Sequence, residues 1–408
     1  MTKPELLSPA GSMEKLRSAL HFGADAVYLG LERFSMRAAA DNFGMAALAQ
    51  ACAYARARGR RVYLALNAAV AEGDEGELRE IMQGIRALDE RPDAVICSDV
   101  GLVALVRREL PGMSVHISTQ ANTRSALTCR AWFDMGASRV ILSRELSLEQ
   151  IKRIRGGTPP ELELECFVHG AMCVAWSGRC LLSNYLAGRD AGEGACAQPC
   201  RWNYALTEEK RPGEYLPVYE DGGKTAILSS RDLCMIGHVG ELVRAGVDSF
   251  KIEGRMKSVY YVSAVTNAYR IALDSYIASP EGWAITPALL AEVNSVSHRE
   301  YDTGYFFSMP HADAKICNDP EYIREGAFLG IAAGYDAERG LAKFIQRGKV
   351  DRGQEVQILQ PGGTGVDLRA DVLLDADGAP IACAKRPMME FYIKTDFAVS
   401  EGDILRAR

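Results

Sequence analysis

From Leu6 to about Ile277, short apolar runs alternate with longer stretches in which apolar residues recur every three or four positions. The short runs predict β-strands, and the longer stretches predict amphipathic helices. Repeated strand–helix units indicate a parallel sheet with helices outside it. The predicted strands are Glu5–Ser8, Ala26–Gly30, Arg61–Asn67, Ala94–Ser98, Val115–Thr119, Arg139–Ser143, Glu163–His169, Ala226–Ser229 and Ser249–Glu253.

This count favours an α/β architecture, a (β/α)8 TIM-barrel-like N-terminal domain. Eight strands close such a barrel, so the ninth candidate implies one extra or irregular unit. A doubly wound open sheet is the alternative. The Gly-x-Gly-x-x-Gly turn of its dinucleotide-binding form is missing from the sequence, which favours the barrel.

Polar residues alternate with apolar residues inside several of these strands. Glu165 and His169 share one strand face, Lys251 and Glu253 share another, and His116 lies on the polar face of the fifth strand. The outer face of a barrel strand is covered by helices, so the polar faces are predicted to point inward. Barrel enzymes carry their chemistry at the carboxyl ends of such faces. A strand with one solvent-exposed face is the alternative reading.

The turn after the last predicted strand reads Glu253-Gly-Arg255-Met-Lys257 and leads into a predicted helix. Amide groups at a helix N-terminus attract anions, and Arg255 and Lys257 suit a carboxylate or a phosphate. Gln120, which follows the fifth strand, is a weaker instance of the same pattern. An ordinary solvated loop is the alternative. Glu165, His169, Glu253 and Arg255 are therefore the predicted catalytic residues, at or near the barrel mouth.

Helical periodicity ends after Pro310. From Gly326 to Arg408, short β-type runs are separated by Gly, Asp and Pro turns, which predicts a small all-β barrel domain. The predicted organisation is a catalytic domain over 1–310, a linker over 311–325 and the β-barrel over 326–408. Basic residues such as Lys385, Arg386 and Arg406 suggest that this domain contacts RNA phosphates. Packing or dimerisation is the alternative role.

Composition narrows the class of protein. The chain has 408 residues, of which 48% are hydrophobic and 25% charged, with a formal net charge of −6. No apolar stretch approaches the roughly 18 residues of a membrane span, so no membrane partner is expected. The N-terminus lacks an apolar signal core, which predicts a cytoplasmic location. The negative charge means that an RNA partner would need local basic patches.

Cysteines are concentrated in the motif region 163–204, followed by Cys234. In a reducing compartment, a spaced cysteine cluster indicates a metal site or a reactive thiol rather than disulfides. The spacing Cys173-x6-Cys180 is wider than the Cys-x2-Cys pairs of a zinc ribbon. Irregular spacing suits an iron–sulfur cluster. A zinc site, a catalytic thiol and buried structural cysteines remain alternatives on spacing alone.

The run Glu165-x-Phe-x-x-Gly-Ala-Met-Cys173-x4-Gly-x-Cys180 resembles the signature of the collagenase-like peptidase family U-32. The resemblance extends to Glu5-Leu-Leu-Ser-Pro-Ala-Gly, His116-Ile-Ser-Thr-Gln-Ala-Asn and Lys251-Ile-Glu-Gly-Arg-Met-Lys, and it covers nearly the whole chain. The β domain and Arg201-Trp202 make the chain most similar to the branch of the family that forms 5-hydroxyuridine in tRNA.

This resemblance implies hydroxylation of the wobble uridine without dioxygen, with a [4Fe–4S] cluster as cofactor and prephenate as a co-substrate. It implies Cys173, Cys180, Cys196 and Cys234 as cluster ligands, with Cys200 as a competing ligand. Arg255 and Lys257, together with His116 and Gln120, are the residues expected to bind the acidic metabolite. No oligomeric state is predicted.

Two other activities occur in the family: hydroxylation of a ribosomal RNA cytidine and a collagenase-like endopeptidase activity. The sequence shows no Ser/His/Asp order and no His-Glu-x-x-His motif that would support proteolysis. A thiol protease built from Cys173 and His169 is conceivable, but it would leave the other cysteines unexplained.

Overall fold

The computed structural model describes residues 3–36, 41–173, 182–189, 195–199, 230–308, 323 and 326–408. It also describes the backbone of four short strands between 206 and 226. The predicted ligands Cys180 and Cys200, and the Arg201-Trp202 pair, lie outside these residues.

Contacts between residues divide the chain into two compact units. The first comprises Met1–Leu16, Ala24–Lys257 and His298–Tyr322, and the second comprises Arg17–Gly23, Ser258–Ser297 and Ile323–Arg408. The second unit thus contains the C-terminal β-strands together with the two helices that precede them.

A closed barrel of eight parallel strands forms the centre of the first unit. The last barrel strand (Ser249–Ile252) pairs in parallel with both the first (Glu5–Pro9) and the seventh (Glu163–Ala171), and this double pairing closes the ring. The (β/α)8 prediction is confirmed. The barrel strands are β1 (Glu5–Pro9), β2 (Ala26–Gly30), β3 (Arg61–Leu66), β4 (Ala94–Cys97), β5 (Ser114–Ile117), β6 (Arg139–Ile141), β7 (Glu163–Ala171) and β13 (Ser249–Ile252).

Helices alternate with these strands along the chain, and several begin at side-chain caps. Asp99 accepts a hydrogen bond from the Leu102 amide, and Ser147 and Gln150 form a reciprocal capping box. Such caps satisfy amides that a helix start leaves unpaired. The helices are α1 (Met13–His21), α2 (Met45–Arg56), α3 (Glu75–Arg86), α4 (Val100–Glu109), α5 (Ala126–Asp134), α6 (Leu148–Gly156), α7 (Leu182–Ala187), α8 (Val239–Arg244), α9 (Val259–Ala278) and α10 (Pro287–Asn294).

The region between β7 and β13 departs from the predicted pattern. Of the predicted strand Ala226–Ser229, only Ala226 lies within the described residues, and it ends β11 (Lys224–Ala226), which pairs in an antiparallel hairpin with β10 (Tyr219–Asp221). A further short pair joins β8 (Leu206–Thr207) to β9 (Tyr215–Leu216). Instead, β12 (Asp232–Cys234) runs antiparallel to β7 and pairs with β14 (Tyr301–Asp302). This is the irregular unit that the ninth candidate implied.

The C-terminal strands form a seven-stranded antiparallel sheet, as the all-β prediction required. Phe344 and Phe391 pack in its core with Ile358 and Leu405. The short strands Val350–Asp351 and Cys383–Ala384 pair with each other in a separate antiparallel ladder. The strands are β15 (Phe328–Asp336), β16 (Leu341–Gln346), β17 (Val350–Asp351), β18 (Glu355–Leu359), β19 (Val366–Arg369), β20 (Leu373–Asp375), β21 (Cys383–Ala384), β22 (Glu390–Lys394) and β23 (Ile404–Ala407).

A buried ion pair ties this sheet to α10 within the second unit. The Arg406 guanidinium donates to both carboxylate oxygens of Glu292, at 2.7 and 2.6 Å, and both residues are at most 5% exposed. Arg406 is therefore not available to an RNA phosphate, and that part of the sequence prediction is wrong.

Among the described helices, none combines the length and apolar character needed to cross a bilayer.

Candidate active site at the carboxyl end of the barrel

A pocket opens at the carboxyl ends of the barrel strands. Its walls include the aromatic rings of Tyr28 and Phe167. Among the described residues, three cationic side chains and one carboxylate line it, so this lining favours an anionic ligand. Its charged and amide lining residues are Asn67, Gln120, Arg144, Lys251, Glu253 and Arg255.

Arg255 is held firmly although it lies in a loop. Its side chain is 3% exposed, and Nη1 donates to the Ser35 hydroxyl at 2.8 Å. The guanidinium passes so close to Gly30 that a Cβ there would lie 2.0 Å from Nη1. The Lys15 ammonium donates to the Arg255 carbonyl at 3.2 Å. The glycine at position 30 is thus required by the close approach of Arg255.

Glu253 lies two residues before Arg255 and is positioned by Tyr28. The Tyr28 hydroxyl is 3.0 Å from the Ile252 carbonyl and 3.1 Å from Glu253 Oε2. Both contacts place Glu253 in the wall of the pocket, where its carboxylate is the only one among the described lining residues.

Lys251 is a buried cation in the pocket lining. Its side chain is 3% exposed, and Nζ donates to Glu165 Oε1 at 2.9 Å. The same ammonium lies 4.4 Å from the Tyr28 ring centroid and 5.4 Å from that of Phe167. Burial lowers the pKa of Lys251, while the carboxylate of Glu165 opposes the shift. Lys251 is therefore a desolvated cation whose charge depends on Glu165.

Glu165 lies beneath the pocket rather than in its wall. It is fully buried, and its second oxygen accepts from Arg139 Nη1 at 2.9 Å. Arg139 also donates to Glu5 at 2.6 Å. Burial alone would lower the pKa of Arg139, but Glu5 and Glu165 outweigh it and raise that pKa. The barrel interior is thus a paired charge network, and Glu165 supports Lys251.

His116 also lies in this lower layer. Its ring contacts the Tyr63 ring edge-on at a centroid distance of 4.7 Å, and its Nδ1 has no hydrogen-bond partner among the described residues. Burial, and after it the charges of Arg139 and Lys251, hold the pKa of His116 well below its usual value. His116 is therefore neutral at physiological pH.

His169 lies at the far end of β7, beside β12 and β14. Its Nε2 is 3.3 Å from the Tyr301 hydroxyl, and the Tyr301 ring stacks on His298 at 4.0 Å. Burial lowers the pKa of His169 to about 3. A group with so low a pKa is a weak proton acceptor at neutral pH.

The described cysteines of the first unit fall into two groups. Cys173 is exposed, and Cys196 and Cys234 are partly exposed, whereas Cys52, Cys97, Cys129 and Cys166 are buried. Burial raises the pKa of Cys52 to about 12 and that of Cys129 to about 11, so these buried thiols stay protonated. Burial of this kind is typical of cysteines that pack as small apolar side chains.

Two predicted cluster ligands lie on neighbouring segments. Cys234 pairs with His169 in the β7–β12 ladder, and Cys173 follows the end of β7 by two residues. Accessible thiols on adjacent segments suit the thiolate ligation of an iron–sulfur cluster. Across the described ranges, no three His, Cys, Asp or Glu side chains converge on one metal position. Cys180 and Cys200, which are also predicted ligands, lie outside those ranges.

The structure thus brings together some of the predicted site residues. Gln120, Glu253 and Arg255 line one pocket, whereas Glu165 and His116 lie below it and His169 and Lys257 are not among its lining residues. The predicted site omitted Lys251 and Arg144. Lys251 shares a strand face with Glu253, and Arg144 follows β6 by three residues. Their positions near the carboxyl ends of strands could therefore have identified both as candidate site residues.

A closed parallel barrel with a polar pocket at the carboxyl ends of its strands defines a protein of the (β/α)8 class, in which active sites lie at that end. The model of peptidase family U32 matches residues 11–316, and that of the peptidase family U32 C-terminal domain matches residues 324–406. The chain belongs to peptidase family U32.

Relatives in this family carry different names. The tRNA hydroxylation protein P of Escherichia coli (strain K12) is 36% identical, covering 89% of this chain and 87% of that protein. The tRNA hydroxylation protein P1 of Bacillus subtilis (strain 168) is 31% identical, covering 99% and 94%. A collagenase of Porphyromonas gingivalis (strain ATCC BAA-308 / W83) is also 31% identical, covering 89% and 87%.

Proposed function

We propose that this chain is a cytoplasmic RNA hydroxylase that converts the wobble uridine of tRNA to 5-hydroxyuridine, with prephenate as co-substrate and a [4Fe–4S] cluster as cofactor. The observation that carries the proposal is the pocket itself: cationic, partly aromatic, and in contact through Arg144 with Cys173. Similarity to two tRNA hydroxylation proteins over most of the chain supports the RNA substrate.

The charge of the pocket suits an acidic metabolite. Prephenate carries two carboxylates, and both Lys251 and Arg255 line the pocket. Guanidinium groups bind carboxylates with paired hydrogen bonds, and a buried ammonium provides a strong point charge. Lys251 and Arg255 are therefore the proposed anchors for the two carboxylates. Lys257, predicted from sequence as a second anchor, does not line this pocket.

The remaining lining suits a flipped base. Aromatic faces such as those of Tyr28 and Phe167 are surfaces on which an unstacked base can lie. A carboxylate such as Glu253 accepts a hydrogen bond from an N–H group, and uracil presents one at N3. An enzyme that modifies a base must take it out of its stack. In this proposal Glu253 holds the N3 proton and orients the ring.

The proposed cluster would be held by Cys173, Cys180 and Cys234, with Cys196 or Cys200 as the fourth ligand. Bound there, it would supply one-electron chemistry beside the pocket. The chain's own part is to bind the metabolite, orient the base and keep the site closed to bulk water.

A collagenase-like endopeptidase is the second candidate because one relative is named a collagenase. A thiol protease needs a base next to its cysteine. His169, the base considered for Cys173 from the sequence, has a pKa lowered to about 3 by burial, so it is a weak proton acceptor at neutral pH. This property of His169 favours the hydroxylase.

Nucleoside mass spectrometry tests the proposal. The chain would be expressed, without oxygen, in Escherichia coli lacking both its tRNA hydroxylation protein P and its 23S rRNA 5-hydroxycytidine C2501 synthase. The tRNA and the ribosomal RNA would then be digested and analysed separately. We expect the chain to restore 5-hydroxyuridine, with the Cys173→Ala variant as the inactive control. A ribosomal RNA product in place of the tRNA product would identify the cytidine-modifying activity, and no modified nucleoside in either RNA would contradict the proposal.

A further inference from the structure

A chain of hydrogen bonds links the main chain at Met36 to the side chain of Gln120 in the pocket wall. The Met36 N–H donates to Asn67 Oδ1 at 3.2 Å, and Asn67 Nδ2 donates to Ser118 Oγ at 3.4 Å. The Ser118 hydroxyl donates to Gln120 Oε1 at 3.3 Å, and its oxygen accepts from the Gln120 main-chain N–H, also at 3.3 Å. All four residues line the pocket.

This chain of hydrogen bonds has a fixed direction because it begins at a main-chain N–H, which can only donate. Asn67 must therefore turn its oxygen toward Met36 and its NH2 group toward Ser118. A hydroxyl oxygen accepts two hydrogen bonds and donates one. The Ser118 oxygen already accepts from Asn67 and from the main chain of Gln120, so only its proton is left. The side chain of Gln120 must present its oxygen to that proton.

The NH2 group of Gln120 is consequently directed away from Ser118. Among the described residues, the Gln120 side chain bonds through Oε1, and Nε2 donates to none of them. Gln120 is partly exposed, whereas Ser118 is buried. The carboxylate of Glu253 lines the same pocket. The pocket thus offers a ligand an amide donor of fixed orientation, Gln120 Nε2, together with a carboxylate acceptor.

We propose that Gln120 Nε2 donates to O4 of the target uracil and thereby selects uridine over cytidine, with Ser118 and Asn67 as positioning residues. This inference rests on the proposed function, in which Glu253 accepts from the N3–H of the same base. Uracil presents an oxygen at C4 and a proton at N3, whereas cytosine presents an amino group and a lone pair at these positions. A donor at Gln120 and an acceptor at Glu253 match uracil at both positions and cytosine at neither.

Cytosine in this pocket would set two donors against each other at Gln120 and two acceptors against each other at Glu253. Polar groups left unpaired in a desolvated site weaken binding, so a site built on hydrogen bonds discriminates strongly. The discrimination depends on the direction of the Gln120 amide. An amide that turned over would present its oxygen and accept from the cytosine amino group, and the hydrogen bond from Ser118 prevents this turn.

Competition binding of RNA stem-loops tests this inference. Anticodon stem-loops that differ only in uridine or cytidine at the wobble position would compete with a fluorescent stem-loop for the purified full-length protein, followed by fluorescence anisotropy. We expect the natural protein to bind the uridine stem-loop about tenfold more tightly. Gln120→Glu is nearly isosteric and places an acceptor where the donor was, so it should remove or reverse the preference. Ser118→Ala allows the amide to turn and should reduce the preference.

Ser98→Ala is the matched control, because the Ser98 hydroxyl donates to the main-chain carbonyl of Asn67 at 3.1 Å, outside the chain of hydrogen bonds. It should keep the full preference for uridine. Gln120→Met separates the two ligands that an amide donor could bind, the base and a metabolite carboxylate. We expect Gln120→Met to lose the preference for uridine and to bind prephenate normally, as measured by isothermal titration calorimetry.

The outcomes separate this inference from the proposed function. An equal preference in the natural protein and in Gln120→Glu, or no preference in either, would contradict the role of Gln120 even where the natural protein forms 5-hydroxyuridine. Loss of prephenate binding in Gln120→Met, with the uridine preference retained, would assign the donor to the metabolite and also contradict the inference. Absence of 5-hydroxyuridine, together with a preference that depends on Gln120, would contradict the proposed hydroxylation and support the recognition of the base.

Discussion

The Lys251 ammonium and the Glu165 carboxylate form a 2.9 Å ion pair inside the barrel, with both side chains at most 4% exposed. Glu165 also pairs with Arg139, so one carboxylate compensates two buried cations. Removing one partner of a buried pair leaves an uncompensated charge, which costs about 3–5 kcal/mol.

Glu165→Gln should therefore lower the free energy of unfolding by about 3 kcal/mol or more, as measured by urea denaturation of the purified protein. Glu163→Gln is the matched control, because Glu163 also pairs with Arg139, at 2.7 Å, but its side chain is 44% exposed. Exposed pairs contribute about 1 kcal/mol or less. Equal losses in the two variants would show that burial does not determine the importance of Glu165.

Gly30→Ala should imitate the loss of Arg255. The new methyl group would lie 2.0 Å from both Arg255 Nη1 and the Ser35 hydroxyl, so the guanidinium must move. We expect weaker prephenate binding by at least tenfold, measured by isothermal titration calorimetry, with iron content unchanged. Gly76→Ala in α3 meets nothing within 4 Å and should bind prephenate normally. Normal binding by Gly30→Ala would exclude Arg255 as an anchor in the position described.

The barrel could be predicted from sequence because each of its strands carries its own apolar pattern. The antiparallel pairing between β7 and β12 could not be predicted from the sequence. The short run at Ala226–Ser229 resembles a barrel strand, and the antiparallel pairing of Asp232 with Ala171 is a long-range contact without a local signal.

The sequence indicated that the site lies at the carboxyl ends of the strands, but not how its residues are arranged there. The pattern placed Glu165 and Glu253 on inward faces, but it could not show which layer each occupies. Lys251 forms its ion pair with Glu165 because closure of the barrel places β13 beside β7. Arg144 donates a hydrogen bond to Cys173, which follows the end of β7 by two residues. Likewise, a run of basic residues could not reveal that Arg406 is buried against Glu292 while Lys385 is exposed.

The cysteines should separate by accessibility. Cys173→Ala, Cys180→Ala and Cys234→Ala should each lose iron and sulfide after anaerobic reconstitution, because a cluster depends on every thiolate. Cys52→Ala should keep both, at a cost of about 1 kcal/mol in stability, and Cys383→Ala should also keep them. Comparing Cys196→Ala with Cys200→Ala identifies the fourth ligand. Full iron content in Cys180→Ala would refute the ligand set.

Lys385 and Arg386 are exposed on the C-terminal sheet domain and should contact tRNA phosphates. Replacing both with glutamine should weaken tRNA binding and reduce the slope of log affinity against log salt by about 1.4 to 1.8, as expected for two lost phosphate contacts. Filter binding at several salt concentrations measures this. Arg58→Gln, at the amino end of β3, is the control. An unchanged slope in the double variant would leave the domain with a packing or dimerisation role.

The pocket lined by Lys251 and Arg255 should bind the acidic metabolite that hydroxylation of a tRNA uridine requires. The most direct measurement is 5-hydroxyuridine formation by the anaerobically reconstituted protein on a tRNA transcript, with and without prephenate, quantified by nucleoside mass spectrometry. We predict product only with prephenate, none on a transcript with cytidine at the wobble position, and loss of product in Arg255→Ala despite full iron content. Product formed without prephenate, or formed equally by Arg255→Ala, would contradict the proposed role of the pocket in binding prephenate.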